Sequence, residues 1–228
     1  MTKNQEIKMQ LLMEYGISGE PSTVDFCREA YKFLTEDEPK DKTPSIELTP
    51  ERLPDGVYII YYGCIVSKFD ENCKKEGIKA VGIVQYGHAF TVGLKDKGTF
   101  PLVMDYEKCP KEHPFYRERL CDALMDWEYI ERTKHIQEVG TDIPLEDGEY
   151  IPSLPMLVAM CHYADKGLNE ALKLAGGEPL DMDEYYWSST EYHRLYARSV
   201  GFGSGYTGSF NKSYGLVIRP VSAFKLVP

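Results

Sequence analysis

Five histidines, six cysteines and one short acidic run are the groups through which this chain could hold a metal or attack a substrate. His88, His113, His135, His162 and His193 are scattered, and no two share the i, i+4 spacing that puts two imidazoles on one helix face. Each reads as a structural or surface histidine. The cysteines (Cys27, Cys64, Cys73, Cys109, Cys121, Cys161) form no C-x-x-C pair and no zinc spacing, so reduced, mostly buried thiols are expected. Asp181, Asp183 and Glu184 offer hard oxygens that suit calcium, but a solvated acidic loop explains them as well. Gly201-Phe202-Gly203-Ser204-Gly205 is glycine-rich like a phosphate loop, yet lacks the following Lys-Ser/Thr and a helix to begin. No G-x-S-x-G, H-E-x-x-H, P-loop or EF-hand pattern occurs. The expectation is no enzyme, with no catalytic residue, no metal and no cofactor.

Residues 185–224 point elsewhere. They open with Tyr185-Tyr186-Trp187-Ser188-Ser189-Thr190-Glu191-Tyr192 and close with Leu216-Val217-Ile218-Arg219-Pro220-Val221-Ser222-Ala223-Phe224. Between these borders lies a run of Gly, Ser, Tyr, Asn and Phe. Tyr196, Tyr206, Phe210 and Tyr214 give large contact area at low entropic cost, and the small residues make room, as in antibody loops. A rigid scaffold presenting a recognition surface is expected, with Trp187, Val200, Phe202, Val217, Ile218 and Val221 carrying the packing.

The elements that must position this segment follow from periodicity. Ile7, Leu11, Leu12 and Tyr15 form one helical stripe, and Phe26, Ala30, Phe33 and Leu34 a second, before a linker from Glu36 to Pro44. Residues 1–44 thus form a helical segment and linker, and 45–228 the main domain. Val57 to Tyr62 follows a Pro54-Asp55-Gly56 turn as a strand, and Ala80–Gln85 with Ala89–Leu94 flank Tyr86-Gly87-His88 as a hairpin. Leu120, Ala123, Leu124, Trp127 and Ile130 mark one amphipathic helix running to Gly140. Ser153 caps another, with Leu154, Leu157, Val158 and Cys161 on one face. Leu168, Ala171, Leu172 and Ala175 mark a third, stopped by Gly176-Gly177. Val200 and Phe202 would then face the core and Ser199, Gly201 and Gly203 solvent, before a closing strand from Leu216 to Val221. Helices, strands, helices, strands: the fold class is α+β.

These residues resemble a family, the C-type-lectin-fold variable proteins of gut bacteria and their phages, many of them diversified by retroelements that mutagenise adenines. The resemblance runs from about Ser45 to Phe224. It rests on Lys79-Ala80-Val81-Gly82-Ile83-Val84 with His88 and Gly93-Leu94-Lys95-Asp96, and on Ile151-Pro152-Ser153-Leu154-Pro155. It continues through Leu168-Asn169-Glu170-Ala171-Leu172 and Gly176-Gly177, and above all on the two border blocks. It implies a C-type-lectin-like domain behind the N-terminal helical segment. It also implies that asparagine codons in the interior are randomised to NNY codons, which never encode Lys, Glu, Gln, Met or Trp. The implied ligand-binding positions are His193, Arg194, Leu195, Tyr196, Ser199, Gly201, Gly203, Tyr206, Gly208, Ser209, Phe210, Asn211, Ser213, Tyr214 and Gly215. All are NNY-encodable, and Lys212 falls where a framework residue would stand. The sequence departs from the family at Arg198, where Trp is frequent. The Glu-Pro-Asn and Trp-Asn-Asp motifs of calcium-dependent sugar-binding lectins are absent, so the fold does not imply sugar binding.

The expected function is binding of a macromolecular ligand, a protein or cell-surface component, in host or surface recognition. The alternatives are a static structural or assembly subunit, with homo-oligomers formed through the N-terminal helices, and a formylglycine-generating-enzyme-like oxidase. The oxidase needs a reactive cysteine late in the chain. The last one here, Cys161, reads as an inert thiol on an apolar helix face. A net charge of −10 opposes a nucleic-acid surface, and hydrophobic and charged contents of 43% and 27% are those of a folded globular chain. No stretch near Met1 reads as a signal peptide and no window approaches the roughly 18 apolar residues of a membrane span. A cytoplasmic protein, or part of a phage particle released by lysis, is the resulting expectation.

Overall fold

The computed structural model describes residues 53–62, 66–70 and 72–224. The two helices expected in the first fifty residues, and Cys27 and Cys64, lie outside them. Mixed helix and sheet is what the described residues form, with two five-stranded sheets.

The first sheet grows from the β-branched run after Pro54. Strand β1 (Gly56–Tyr61) pairs with the short β2 (Val66–Lys68) on one side and with β3 (Ile78–Gln85) on the other. Tyr86 and Gly87 both take positive φ, 51° and 76°, and so turn β3 tightly into β4 (His88–Val92). Asp55 pins that turn, accepting from the Tyr86 N–H at 2.9 Å and from Gln85 Nε2 at 3.0 Å. The terminal strand β10 (Val221–Ala223) completes the order β10-β4-β3-β1-β2, antiparallel throughout.

The second sheet carries the order β5-β9-β6-β7-β8, from β5 (Thr99–Pro101), β6 (Tyr185–Glu191), β7 (Tyr196–Gly201), β8 (Tyr206–Asn211) and β9 (Gly215–Val217). Only β6 and β9 run parallel. Four α-helices are described: α1 (Leu120–Leu124), α2 (Tyr129–Val139), α3 (Leu154–Tyr163) and α4 (Asn169–Leu174). Helix α3 packs on β3, β6 and β7, and Leu154, Leu157 and Met160 fill the space between the sheets with Val81, Ile83, Phe90, Tyr186, Val200 and Phe202. Each such side chain contributes about 1.5–3 kcal/mol by leaving water. A second core covers the other face of the second sheet: Leu102, Val103, Ile136, Ile151, Trp187, Ala197 and Ile218. All six residues expected to carry the packing are buried.

Several expectations need correcting. The helix drawn from Leu120 to Gly140 is two, broken between Leu124 and Tyr129. There Asp126 turns inward to accept from Arg132 Nη2 at 3.0 Å, and Trp127 stacks on His88 at 4.0 Å. Ser153 occupies the first cap position of α3 but makes no capping bond, and its hydroxyl is buried without a partner. Thr190 Oγ1 accepts the Leu154 N–H instead, at 3.0 Å, so β6 caps the helix. The closing strand is likewise two strands in two sheets, because Arg219 and Pro220 cross from one to the other.

That crossing brings Arg219 and Pro220 against residues 93–96 and 177–179. The fully buried Arg219 donates through Nε to Asp96 at 2.6 Å, and through Nη1 and Nη2 to the carbonyls of Gly93, Glu178 and Pro179. A Cβ on Gly177 would stand 2.5 Å from the Leu94 carbonyl oxygen, and one on Gly93 2.7 Å from Pro220 Cγ. Glycine at both positions lets the strand end and the helix stop close on the arginine. Burial raises the Asp96 carboxyl against the opposing pull of Arg219. No helix among the described residues is long and apolar enough to cross a membrane.

Candidate binding surface

The β7–β8 hairpin carries most of the positions singled out in the sequence. Their fates differ. Tyr196, Tyr206 and Tyr214 are 38%, 60% and 56% exposed, while Val200 and Phe202 between them are 1% and 2% exposed. Gly203, Ser213 and Gly215 are exposed, and His193, Arg194, Leu195, Ser209, Phe210 and Asn211 are half-buried. Ser199, Gly201 and Gly208 are buried, against expectation. Ser199 and Gly201 do lie opposite Val200, but the second core and its aromatic rim cover that face. The Tyr185 ring would meet a Cβ on Gly201 at 2.8 Å, and the Tyr206 ring one on Gly208 at 2.9 Å. Space under these rings, rather than freedom to vary, explains glycine there.

Other candidate positions hold the frame. Arg194 donates through Nε to the Cys109 carbonyl at 3.1 Å and through Nη2 to that of Glu107 at 3.1 Å. Leu195 accepts the Lys212 N–H at 2.9 Å, and Asn211 Oδ1 closes a turn by accepting from Ser213 N–H and Oγ at 3.0 and 2.8 Å. Lys212 itself is fully buried and bonded to the equally buried Glu191 of the border block. Its Nζ also lies 3.8 Å from Cys109 Sγ and over the Tyr116 ring. Burial raises the Cys109 thiol, with the Lys212 charge opposing. The one lysine inside the borders is thus framework.

Two open depressions adjoin at His193. One, of about 400 Å³, is lined by Tyr192, His193, Tyr196, Arg198, Tyr206, Thr207, Gly208 and Ser209. The other, of about 500 Å³, mixes Lys111, Arg117 and Arg119 with Glu112, Glu118 and Asp122 around His113 and Tyr116. Burial lowers the His193 pKa, with the Lys212 charge acting the same way and Glu118 against it. Phe210, Ser213, Tyr214 and Gly215 line neither. Phe210 instead packs on the second core and Tyr185.

Sequence reading missed Arg198 as a site residue, although it marked the position as a departure from the family. The side chain is 8% exposed and lies under the Tyr192 ring at 4.6 Å. Its Nη1 donates to Ser209 Oγ at 3.2 Å and its Nη2 to the carbonyls of Arg117 and Glu118 at 3.1 and 2.6 Å. Burial lowers its pKa, with the Tyr192 hydroxyl opposing.

Elsewhere, His113 and His135 stack at 4.1 Å, a pairing invisible in their spacing. No group of three His, Cys, Asp or Glu side chains suited to a metal occurs among the described residues. Asp181, Asp183 and Glu184 are exposed. Cys161 is half-buried, donates to the Phe202 carbonyl at 3.4 Å, and has its pKa raised by burial and then by Asp165.

No protein-family model matches the chain, and no curated protein matches it. Among solved structures it is similar to a fimbrial protein from Bacteroides ovatus, at 15% identity and a TM-score of 0.45. That similarity covers 75% of this chain and 49% of the other, so the chain spans about half the length of that protein.

Proposed function

We propose that this chain is a binding protein of C-type-lectin-like fold, of the retroelement-diversified kind or a static relative, that presents its β7–β8 hairpin to a macromolecular ligand. The observation that carries this reading is the contrast along one hairpin: exposed Tyr196 and Tyr206 stand beside buried Val200 and Phe202. Exposed substitutions usually change stability by only about ±0.5 kcal/mol, so such rings can be exchanged while the core holds the shape. Placement of Lys212 in the frame, at the one interior position NNY codons cannot encode, supports the diversified version. The raised Cys161 thiol suits a binding protein better than an oxidase that would need a thiolate.

The test uses the full chain, fluorescently labelled, on a panel of intact gut bacterial cells read by flow cytometry. Wild type is expected to stain a subset, and Tyr196→Ser with Tyr206→Ser to lose that staining while unfolding at the same denaturant concentration. Equal staining by both proteins overturns the reading. Sequencing the surrounding locus separates the two versions: a near-identical repeat beside a reverse transcriptase marks diversification.

A further inference from the structure

Arg198 is the anomaly of the surface. The two fully buried arginines each have a carboxylate, Asp126 at 3.0 Å from Arg132 and Asp96 at 2.6 Å from Arg219, whereas Arg198 is 8% exposed. Among the described residues Arg198 has none within ion-pair distance; its acceptors are one hydroxyl and two carbonyls, and its Nε has no partner. Three neutral acceptors serve a guanidinium that offers five N–H groups. A buried charge without a counter-ion is costly, and a carboxylate brought to it gains accordingly.

The second observation is the edge beside it. Strand β8 ends its sheet. Tyr196 donates its N–H to His193 and accepts at its carbonyl from Tyr192, so Tyr196–Asn211 is a wide pair in the β7–β8 ladder. Parity then turns the N–H and C=O of Thr207 and Ser209 outward, away from β7. Their side chains lie on the Arg198 face, since Ser209 opposes Arg198 and Thr207 opposes Val200. The strand itself also lacks the guards that sequence can supply. Tyr206-Thr207-Gly208-Ser209-Phe210-Asn211 has no proline, no charge and no bulge across six paired positions. By contrast β2 and β10 are three residues long, and β5 contains Pro101.

Resting on the binding reading above, we propose that the ligand is an extended acidic peptide segment. It adds as a strand to the β8 edge and sets a Glu or Asp side chain against Arg198. Outward groups at alternate residues, about 6.8 Å apart, match the repeat of a strand. The residue facing Ser209 would share its face, two strands from Arg198, which a long guanidinium and a carboxylate can bridge. A second copy of this chain is the poorer occupant. Pairing β8 with itself would bring no carboxylate and would set two uncompensated Arg198 groups on one face. The net charge of −10 does not forbid an acidic partner, because screening beyond about 8 Å at physiological salt leaves the local guanidinium dominant.

The experiment titrates the full chain with three probes: an octapeptide alternating Thr and Glu, its Thr-Gln counterpart, and trigalacturonate. Affinity is read by anisotropy, and amide hydrogen exchange is followed at Thr207 and Ser209. The Glu peptide is expected to bind at least about tenfold more tightly than the Gln peptide and to protect both amides. Arg198→Gln should erase that difference. Thr207→Pro, which removes an outward N–H and leaves Arg198 in place, should abolish peptide binding even if R198Q folds poorly. Equal affinity for the two peptides, or binding of neither, overturns the proposal. So does trigalacturonate binding as the tightest probe without amide protection, or self-association that protects the same amides without peptide. If R198Q and T207P still stain cells while the Tyr196, Tyr206 variant does not, the surface reading stands and the acidic strand falls.

Discussion

Replacing Lys212 by Met should be the most damaging single change within the hairpin segment. Lys212 and Glu191 are 0% and 1% exposed, so neither charge is shared with water. Around them lie Cys109 Sγ, the Tyr116 ring and His135, whose Nε2 is 3.5 Å from Glu191 Oε2 without hydrogen-bond geometry. Lys212→Met would leave the carboxylate with His135 as its nearest cationic partner, and burial disfavours protonation of that imidazole. Breaking a buried pair from one side costs about 3–5 kcal/mol. At about 2–4 °C per kcal/mol for a domain of this size, the melting temperature should fall by about 6–20 °C. Glu191→Met together with Lys212→Met should recover to within about 2 kcal/mol of wild type, since an apolar pair of similar volume removes both desolvation costs. Urea unfolding of the four proteins of this cycle gives the coupling directly. A loss under about 1 kcal/mol for K212M would mean that the pair is hydrated, and the claim that Lys212 belongs to the frame would fail.

Two further predictions concern the frame. Gly177→Ala should destabilise by about 1–3 kcal/mol, because its Cβ would meet a backbone oxygen at 2.5 Å; an unchanged midpoint in urea would show that the junction yields. His135 and His193 both have pKa values lowered chiefly by burial, with Glu191 and Glu118 respectively opposing. A folded-state pKa below the unfolded one leaves stability intact above about pH 6.5 and removes it as pH falls toward the folded value. Stability should therefore drop on acidification below about pH 6.5, and His135→Gln should flatten that slope; a slope unchanged in the variant refutes the assignment. Asp96 works in the opposite sense, because its raised pKa favours the fold at pH values near and below the unfolded carboxylate pKa.

What the sequence disclosed was local. The β-branched run from Val57 and the apolar positions of α3 and α4 are written in neighbouring residues, and periodicity finds them. The Tyr86-Gly87 hairpin was legible from Gly87, though the positive φ of Tyr86 was not. What stayed hidden depends on distant chain. Ser153 has the composition of a cap, but the Leu154 N–H finds its acceptor on Thr190, thirty-six residues beyond Leu154. Ser199 and Gly208 alternate like solvent-facing residues, yet the sheet is covered on both faces, so alternation no longer separates inside from outside. Arg198 takes two of its three acceptors from residues about eighty positions away, and no local signal could have revealed that it lacks a counter-ion.

The crossing at Arg219 and Pro220 has a consequence for biosynthesis. Val92 of β4 must wait for Val221 before its sheet is complete, and β6 must wait for β9. A ribosome therefore emits nearly the whole domain before either sheet can close. A premature stop or frameshift anywhere in the hairpin would leave both sheets short of a strand and their apolar edges open to proteases. Only molecules read through β10 would complete both sheets, so the integrity of the hairpin depends on the strands that follow it.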